Sequence, residues 1–188
     1  MTIKVVITGG PGVGKTRLIE AFQMLGYATV PEAALEIIKK TRDKLRKQGK
    51  MEEFQRRVAT LQIRNESLIG NGLYFLDRTN IDGIAYSRFY NTAESKKALR
   101  FLKTVTYDYV FIPNPLGFSG KRYKNRMEDY ETSLKIHEIV RATYREFGYE
   151  PITIPVFEFA YVGDEWLRLM MEVMERAKVV LKVIGCIS

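Results

Sequence analysis

Eight consecutive residues constrain this chain more than any others: Gly9-Gly10-Pro11-Gly12-Val13-Gly14-Lys15-Thr16, directly after the apolar run Ile3 to Ile7. The spacing is GxxxxGK[ST], in which glycines let the backbone curl until successive N–H groups face one anion. Lys15 then reaches the outer phosphates of a nucleoside triphosphate, and Thr16 offers a hydroxyl to Mg²⁺. Ile3, Val5, Val6 and Ile7 read as a buried strand and Arg17 to Leu25 as a helix, which is the setting the motif needs. The positive end of that helix adds to the anion site. Gly10, Pro11, Gly12, Val13, Gly14, Lys15, Thr16 and Arg17 are therefore the expected nucleotide-binding residues. ATP is expected rather than GTP, because no NKxD guanine-reading run occurs.

Strand and helix signals alternate from end to end, which points to an α/β fold around a parallel sheet. The second strand is expected at Tyr27 to Val30, the third at Leu73 to Leu76, the fourth at Tyr107 to Ile112 and the fifth at Ile152 to Val156. Helices are expected over Glu32 to about Arg46, Met51 to Ile69, Asp82 to Tyr90, Ser95 to Thr104, Glu128 to Phe147 and Glu165 to Ile184. With 188 residues and no repeat or linker, one domain over 1–188 is expected. No apolar run approaches the ~18 residues of a membrane span and the chain starts straight into a strand, so a cytoplasmic protein is expected. Cys186 and His137 are the sole cysteine and histidine, and both read as structural.

The formal charge is +8, which favours anionic partners. Nine of the thirty Lys and Arg residues fall between Lys39 and Arg57, either a solvated helix surface or a surface for nucleic acid or anionic lipid. A second cluster, Lys121-Arg122-Tyr123-Lys124-Asn125-Arg126, lies in a stretch of Pro, Gly and basic residues. It reads as a lid over about 115–128, with Arg122 and Arg126 offsetting charge on a transferred phosphoryl group, or as a solvated loop.

Three further residues carry chemistry by position. Asp77 ends the third strand, where a carboxylate can organise Mg²⁺ or cap the following turn. Arg78 beside it can hold an acceptor oxygen or phosphate in a fork, or pair with Asp77 or Asp82. Glu32 follows the second strand on the ligand side of the sheet, where it can take a proton from an attacking hydroxyl or simply favour a helix N-terminus.

The loop GGPGVGKT, the strand end VPEA, the segment DRTNIDGIAY and the stretch RYKNRMEDY together resemble the nucleoside and nucleotide kinase branch of P-loop proteins. More narrowly, the chain resembles a small AAA domain family that is similar to the ribosylnicotinamide kinase domain of the bacterial NAD regulator and to a fly TRPL-translocation ATPase-like protein. The resemblance implies a five-stranded sheet of order 2-3-1-4-5 with a lid, and Glu32 as catalytic base. Ala33 stands where deoxynucleoside kinases carry proline, and Asp82 where thymidylate kinases carry serine. It also makes Gln55, Gln62 and Arg64 candidates for gripping a base, although an exposed helix face explains them equally.

The expected activity is ATP- and Mg²⁺-dependent phosphoryl transfer to a small nucleoside- or nucleotide-like acceptor. Lys15, Glu32, Asp77, Arg78, Arg122 and Arg126 would be the catalytic residues, and Thr16 and Asp77 would serve the metal. The alternative is a nucleotide-binding switch or adaptor that presents its basic surface to protein, lipid or nucleic acid.

Overall fold

The computed structural model describes residues 1–115, 128–159 and 163–187. Strands β1 (Thr2–Ile7), β2 (Ala28–Val30), β3 (Gly72–Asp77), β4 (Tyr109–Pro113) and β5 (Ile152–Ile154) form one sheet in the order β2-β3-β1-β4-β5. Every neighbouring pair is parallel, as the resemblance implies. Parallel neighbours need long crossovers, and the connecting helices bury both faces of the sheet.

Alternation along β1 sends Val5 and Ile7 to one face and Val6 to the other. The first face packs against α1 (Lys15–Met24) and α8 (Glu165–Val183) through Leu18, Phe22, Ala177 and Val180. The second packs against α5 (Asn80–Phe89) and α7 (Tyr130–Glu146) through Ile81, Ala85, Ile136, Val140 and Tyr144. On the first face Phe22 stacks on Phe75 with ring centroids 3.8 Å apart. Phe75 is fully buried. Phe75→Ala is therefore expected to cost about 3–5 kcal/mol in chemical denaturation, and a loss below ~1 kcal/mol would contradict this packing.

The remaining helices are α2 (Ala33–Thr41), α3 (Lys44–Lys47), α4 (Met51–Ser67) and α6 (Lys96–Leu102). The single helix expected over Glu32 to Arg46 is thus two, broken at Arg42 and Asp43, whose φ angles are 48° and 58°. An aspartate tolerates that left-handed turn, and Asp43 secures it by accepting from Arg46 Nε at 2.5 Å and Nη2 at 3.0 Å. The break turns Leu45 inward against Ile37 and Phe54. β4 begins two residues later than expected, and the Tyr107 backbone N–H donates to the Tyr149 hydroxyl at 3.3 Å instead of joining a strand.

Register places the site. Val30 pairs with Leu76 and Ile7 with Asp77, so Glu32, Arg78 and the loop after β1 emerge side by side at the carboxyl ends of adjacent strands. No described helix is long and apolar enough to cross a membrane.

Candidate active site

The phosphate-binding loop is held from several elements at once. Thr8 donates through its backbone N–H to the Phe111 carbonyl at 2.9 Å and through its hydroxyl to Asp82 Oδ1 at 2.6 Å. The Gly9 carbonyl accepts from Arg78 Nη1 at 3.0 Å, and the Val13 carbonyl from Arg176 Nη1 at 2.8 Å. The Gly10 N–H donates to His137 Nδ1 at 3.3 Å. Two glycines are obligatory for different reasons. A Cβ on Gly10 would lie 2.5 Å from the Ser133 carbonyl oxygen on α7. Gly14 precedes α1 with φ 91°, a left-handed conformation that side chains disfavour. The result is an anion cradle at the N-terminus of α1, facing the cleft.

Lys15 is buried, and its Nζ donates to the Gly10 carbonyl at 2.6 Å. Burial, and then the Arg78 guanidinium, lower its pKa from the ordinary lysine value. A buried ammonium of this kind gains most from an arriving polyphosphate. Asp77 moves the other way: burial raises its pKa, with the Glu32 carboxylate adding to the shift. Its Oδ1 has no hydrogen-bond partner among the described residues. Thr16 is exposed on the cleft wall, in the first turn of α1.

Arg78 is the structural centre. It has φ 69°, uncommon for a residue other than glycine and a form of stored strain. Dense contacts hold it there: Nε lies 2.9 Å from Glu32 Oε1, Nη1 donates to Asp82 Oδ1 at 3.1 Å, and Nη2 donates to the Tyr86 hydroxyl at 3.3 Å. Its guanidinium carbon also lies 5.2 Å from the Tyr86 ring centroid. Asp82 in turn receives the Thr79 backbone N–H at 2.9 Å and the Tyr144 hydroxyl at 2.7 Å. Together with the Thr79 side chain it forms the capping box that starts α5. Of the two readings of Arg78 open in the sequence, the ion pair with Asp82 is present, and a second pair with Glu32 accompanies it.

A cleft of about 1010 Å³ runs from Gly12, Gly14, Lys15 and Thr16 past Glu32, Arg78 and Asp82 to Gln55 and Gln62 on α4. Pro11 and Arg17 line it as well, whereas Asp77 lies beneath its wall. Arg64, the third candidate on α4, is exposed and lies outside the cleft. At 100° per residue a helix brings positions 55 and 62 to one face and carries 64 away from it. Arg122 and Arg126, with most of the expected lid, lie outside the described residues.

Behind Gln62 lies a buried acid. Gln62 Nε2 donates to Glu66 Oε1 at 3.1 Å and to the Arg78 carbonyl at 3.3 Å, while the Tyr107 hydroxyl donates to Glu66 Oε2 at 2.9 Å. Burial pushes the Glu66 carboxyl up to about 7 against these hydrogen bonds. A carboxyl whose pKa is raised on folding stabilises fully below its unfolded value of about 4.5, and that contribution is lost as pH rises through about 7. The stability of the wild type relative to Glu66→Gln is therefore expected to fall on the order of 3 kcal/mol between pH 4.5 and pH 8. Denaturation of both proteins across that range checks it, and a gap that stays constant overturns it.

Three supports were not singled out from the sequence for what they do here. His137 packs against Gly9 and Gly10, and burial, then Arg141 and Lys15, push its pKa down to about 4, leaving Nδ1 free to accept. Arg176 pairs with Glu172 at 3.3 Å as it holds the Val13 carbonyl. The signal for that pair was a charged couple at i,i+4 on the same face as Val173, Ala177 and Val180. Asp82 was visible as a possible partner of Arg78 and as a departure from the kinase pattern, but not as an acceptor for Thr8 and Tyr144. Cys186 is exposed and takes no part.

Among solved structures, the NadR protein in complex with NAD and AMP-PNP superposes with a TM-score of 0.69 at 18% identity, covering 98% of this chain and 50% of that one. The chain therefore spans about half the length of that protein. Deoxyadenosine kinase from M. mycoides with bound dCMP and dCDP gives a TM-score of 0.60 at 16% identity, covering 99% of this chain and 100% of that one. Thymidylate kinase from Ehrlichia chaffeensis gives 0.56 at 15% identity, covering 97% and 98%. These likenesses are of fold: a P-loop nucleoside and nucleotide kinase architecture. A comparison with curated protein sequences gives no match. The family described as "AAA domain" matches residues 4–159, from the first strand to beyond the fifth. On that match this chain belongs to the AAA domain family, built on the P-loop nucleoside kinase fold.

Proposed function

We propose that the chain is an ATP- and Mg²⁺-dependent phosphotransferase acting on a small nucleoside- or nucleotide-like acceptor. The observation that carries this reading is the continuous cleft that joins the anion cradle to the Glu32 carboxylate. In the proposed reaction the acceptor hydroxyl attacks the γ-phosphorus. A new P–O bond forms, the bond to the β-phosphate oxygen breaks to release ADP, and the hydroxyl proton passes to Glu32. The backbone N–H groups of Gly12 to Thr16 hold the outer phosphates, with Lys15 neutralising them. Arg122 and Arg126 would offset charge on the transferred phosphoryl group. Catalysis is then positioning and electrostatic stabilisation.

Thr16 and Asp77 would serve the metal, whose chemistry is to offset charge on the phosphate oxygens. The unpartnered Asp77 oxygen fits a water-bridged cation. No cluster of three or more His, Cys, Asp or Glu able to hold a metal occurs among the described residues. That fits a cation held largely by the nucleotide itself.

A screen for acceptor-dependent ADP production, with ATP and Mg²⁺ against nucleosides, nucleotides and nicotinamide riboside, tests this reading. ADP formation that no acceptor raises would move the assignment to the nucleotide switch. For that alternative, exposed Lys39, Arg42, Lys44, Lys47 and Lys50 around the α2–α3–α4 elbow, without ion pairs among the described residues, offer a basic surface.

A further inference from the structure

The inner end of the cleft restricts what an acceptor can carry beside its reacting oxygen. Three carboxylates, Glu32, Asp77 and Asp82, surround two cations, Lys15 and Arg78, and act on both electrostatically. Lys15 belongs to the nucleotide cradle. Arg78 is enclosed within the protein: Glu32 at Nε, the Gly9 carbonyl and Asp82 at Nη1, and the Tyr86 hydroxyl at Nη2. A second guanidinium of the wall, Arg46, is closed by its two-point pair with Asp43 and lies 5.7 Å from the Phe54 ring centroid. Among the described residues, the unpaired cations on this wall are Arg17, beside the nucleotide cradle, and Lys47, both exposed to water.

We propose that Asp82 sets the acceptor class. By holding Arg78 within the protein, it excludes acceptors that bear a phosphate next to the reacting oxygen and selects an uncharged hydroxyl of nucleoside type. This rests on the phosphotransferase reading of the same cleft. A phosphomonoester carries about −1.5 to −2 charge at pH 7. To bind, it must draw Arg78 from Asp82 or Glu32, leaving a buried carboxylate without its partner, or lie unpaired against both. Either route weakens its binding roughly hundredfold relative to the uncharged parent. Asp82 cannot yield by moving, because the Thr8 hydroxyl, the Thr79 N–H and the Tyr144 hydroxyl all converge on it.

The test is calorimetric binding with the nucleotide cradle filled by AMP-PNP and Mg²⁺, titrating each common nucleoside, its 5′-monophosphate and inorganic phosphate. In the wild type, no monophosphate is expected to bind more tightly than its nucleoside, and inorganic phosphate is expected to give no heat in the millimolar range. Asp82→Ser releases Arg78 and should raise affinity for inorganic phosphate or a monophosphate by about tenfold or more. Glu32→Gln should shift it in the same direction while leaving the α5 capping box intact, so the test survives a folding defect in the Asp82 variant. A wild type that prefers monophosphates over nucleosides overturns the proposal. So does a gain in phosphate binding in neither variant. The phosphotransferase reading fails separately: the charge selectivity and its reversal would hold while no acceptor raises ADP production.

Discussion

Lys15→Ala is expected to lower affinity for ATP and Mg²⁺ by about 10²–10³-fold, the cost of truncating one member of a buried charge pair. The reason lies in the surroundings of the ammonium. The ammonium is already desolvated and its pKa lowered by burial, and its one described hydrogen bond is to the Gly10 carbonyl. The protein has thus met much of the cost of removing this cation from water before a nucleotide binds, and a polyphosphate would supply an anion in direct contact, where the described partner is only a carbonyl. The scaffold should survive the change, because the loop is also held by Thr8, Arg78, His137 and Arg176. Titration calorimetry with unchanged melting behaviour checks both halves. Affinity within about threefold of wild type would remove Lys15 from the nucleotide site.

Glu32→Gln is expected to depress kcat by about 10²–10⁴-fold while ATP affinity changes little. Glutamine keeps the shape of the side chain beside Arg78, but it cannot take a proton. The measurement is a split between turnover and nucleotide binding, with the ADP-producing acceptor in saturation. If turnover and ATP affinity fall together, Glu32 acts as the structural counter-ion of Arg78, which their 2.9 Å separation would by itself explain. If turnover is unchanged, the proton leaves by another route and Glu32 is not the base.

The parts of this site that were legible in the sequence are those in which neighbours in the chain are neighbours in space. The eight-residue loop carries its own geometry, and the Asp77-Arg78 step is read from a strand that ends in charge. The i,i+4 spacing of Arg78 and Asp82 left their ion pair open as a possibility, and it is made. The break between α2 and α3 was hidden, because Lys, Arg and Leu sustain a helical pattern straight through Arg42 and Asp43. Arg64 and Gln62 were equal candidates on a helix whose orientation was unknown; packing turned one to solvent and the other into the cleft.

Gly10 to Thr16 could be marked as the expected phosphate site from the chain alone, because that chemistry belongs to closely spaced glycines, backbone N–H groups and one lysine. What surrounds that loop depends on the folded chain. Glu32 meets Arg78 because β2 and β3 pair in a register that aligns Val30 with Leu76. Asp82 is buried beside both because α5 packs beneath Tyr144 of α7. Those contacts join residues up to 62 positions apart. They exist only once the sheet has closed and water has left, since in water each of these charges would be solvated alone.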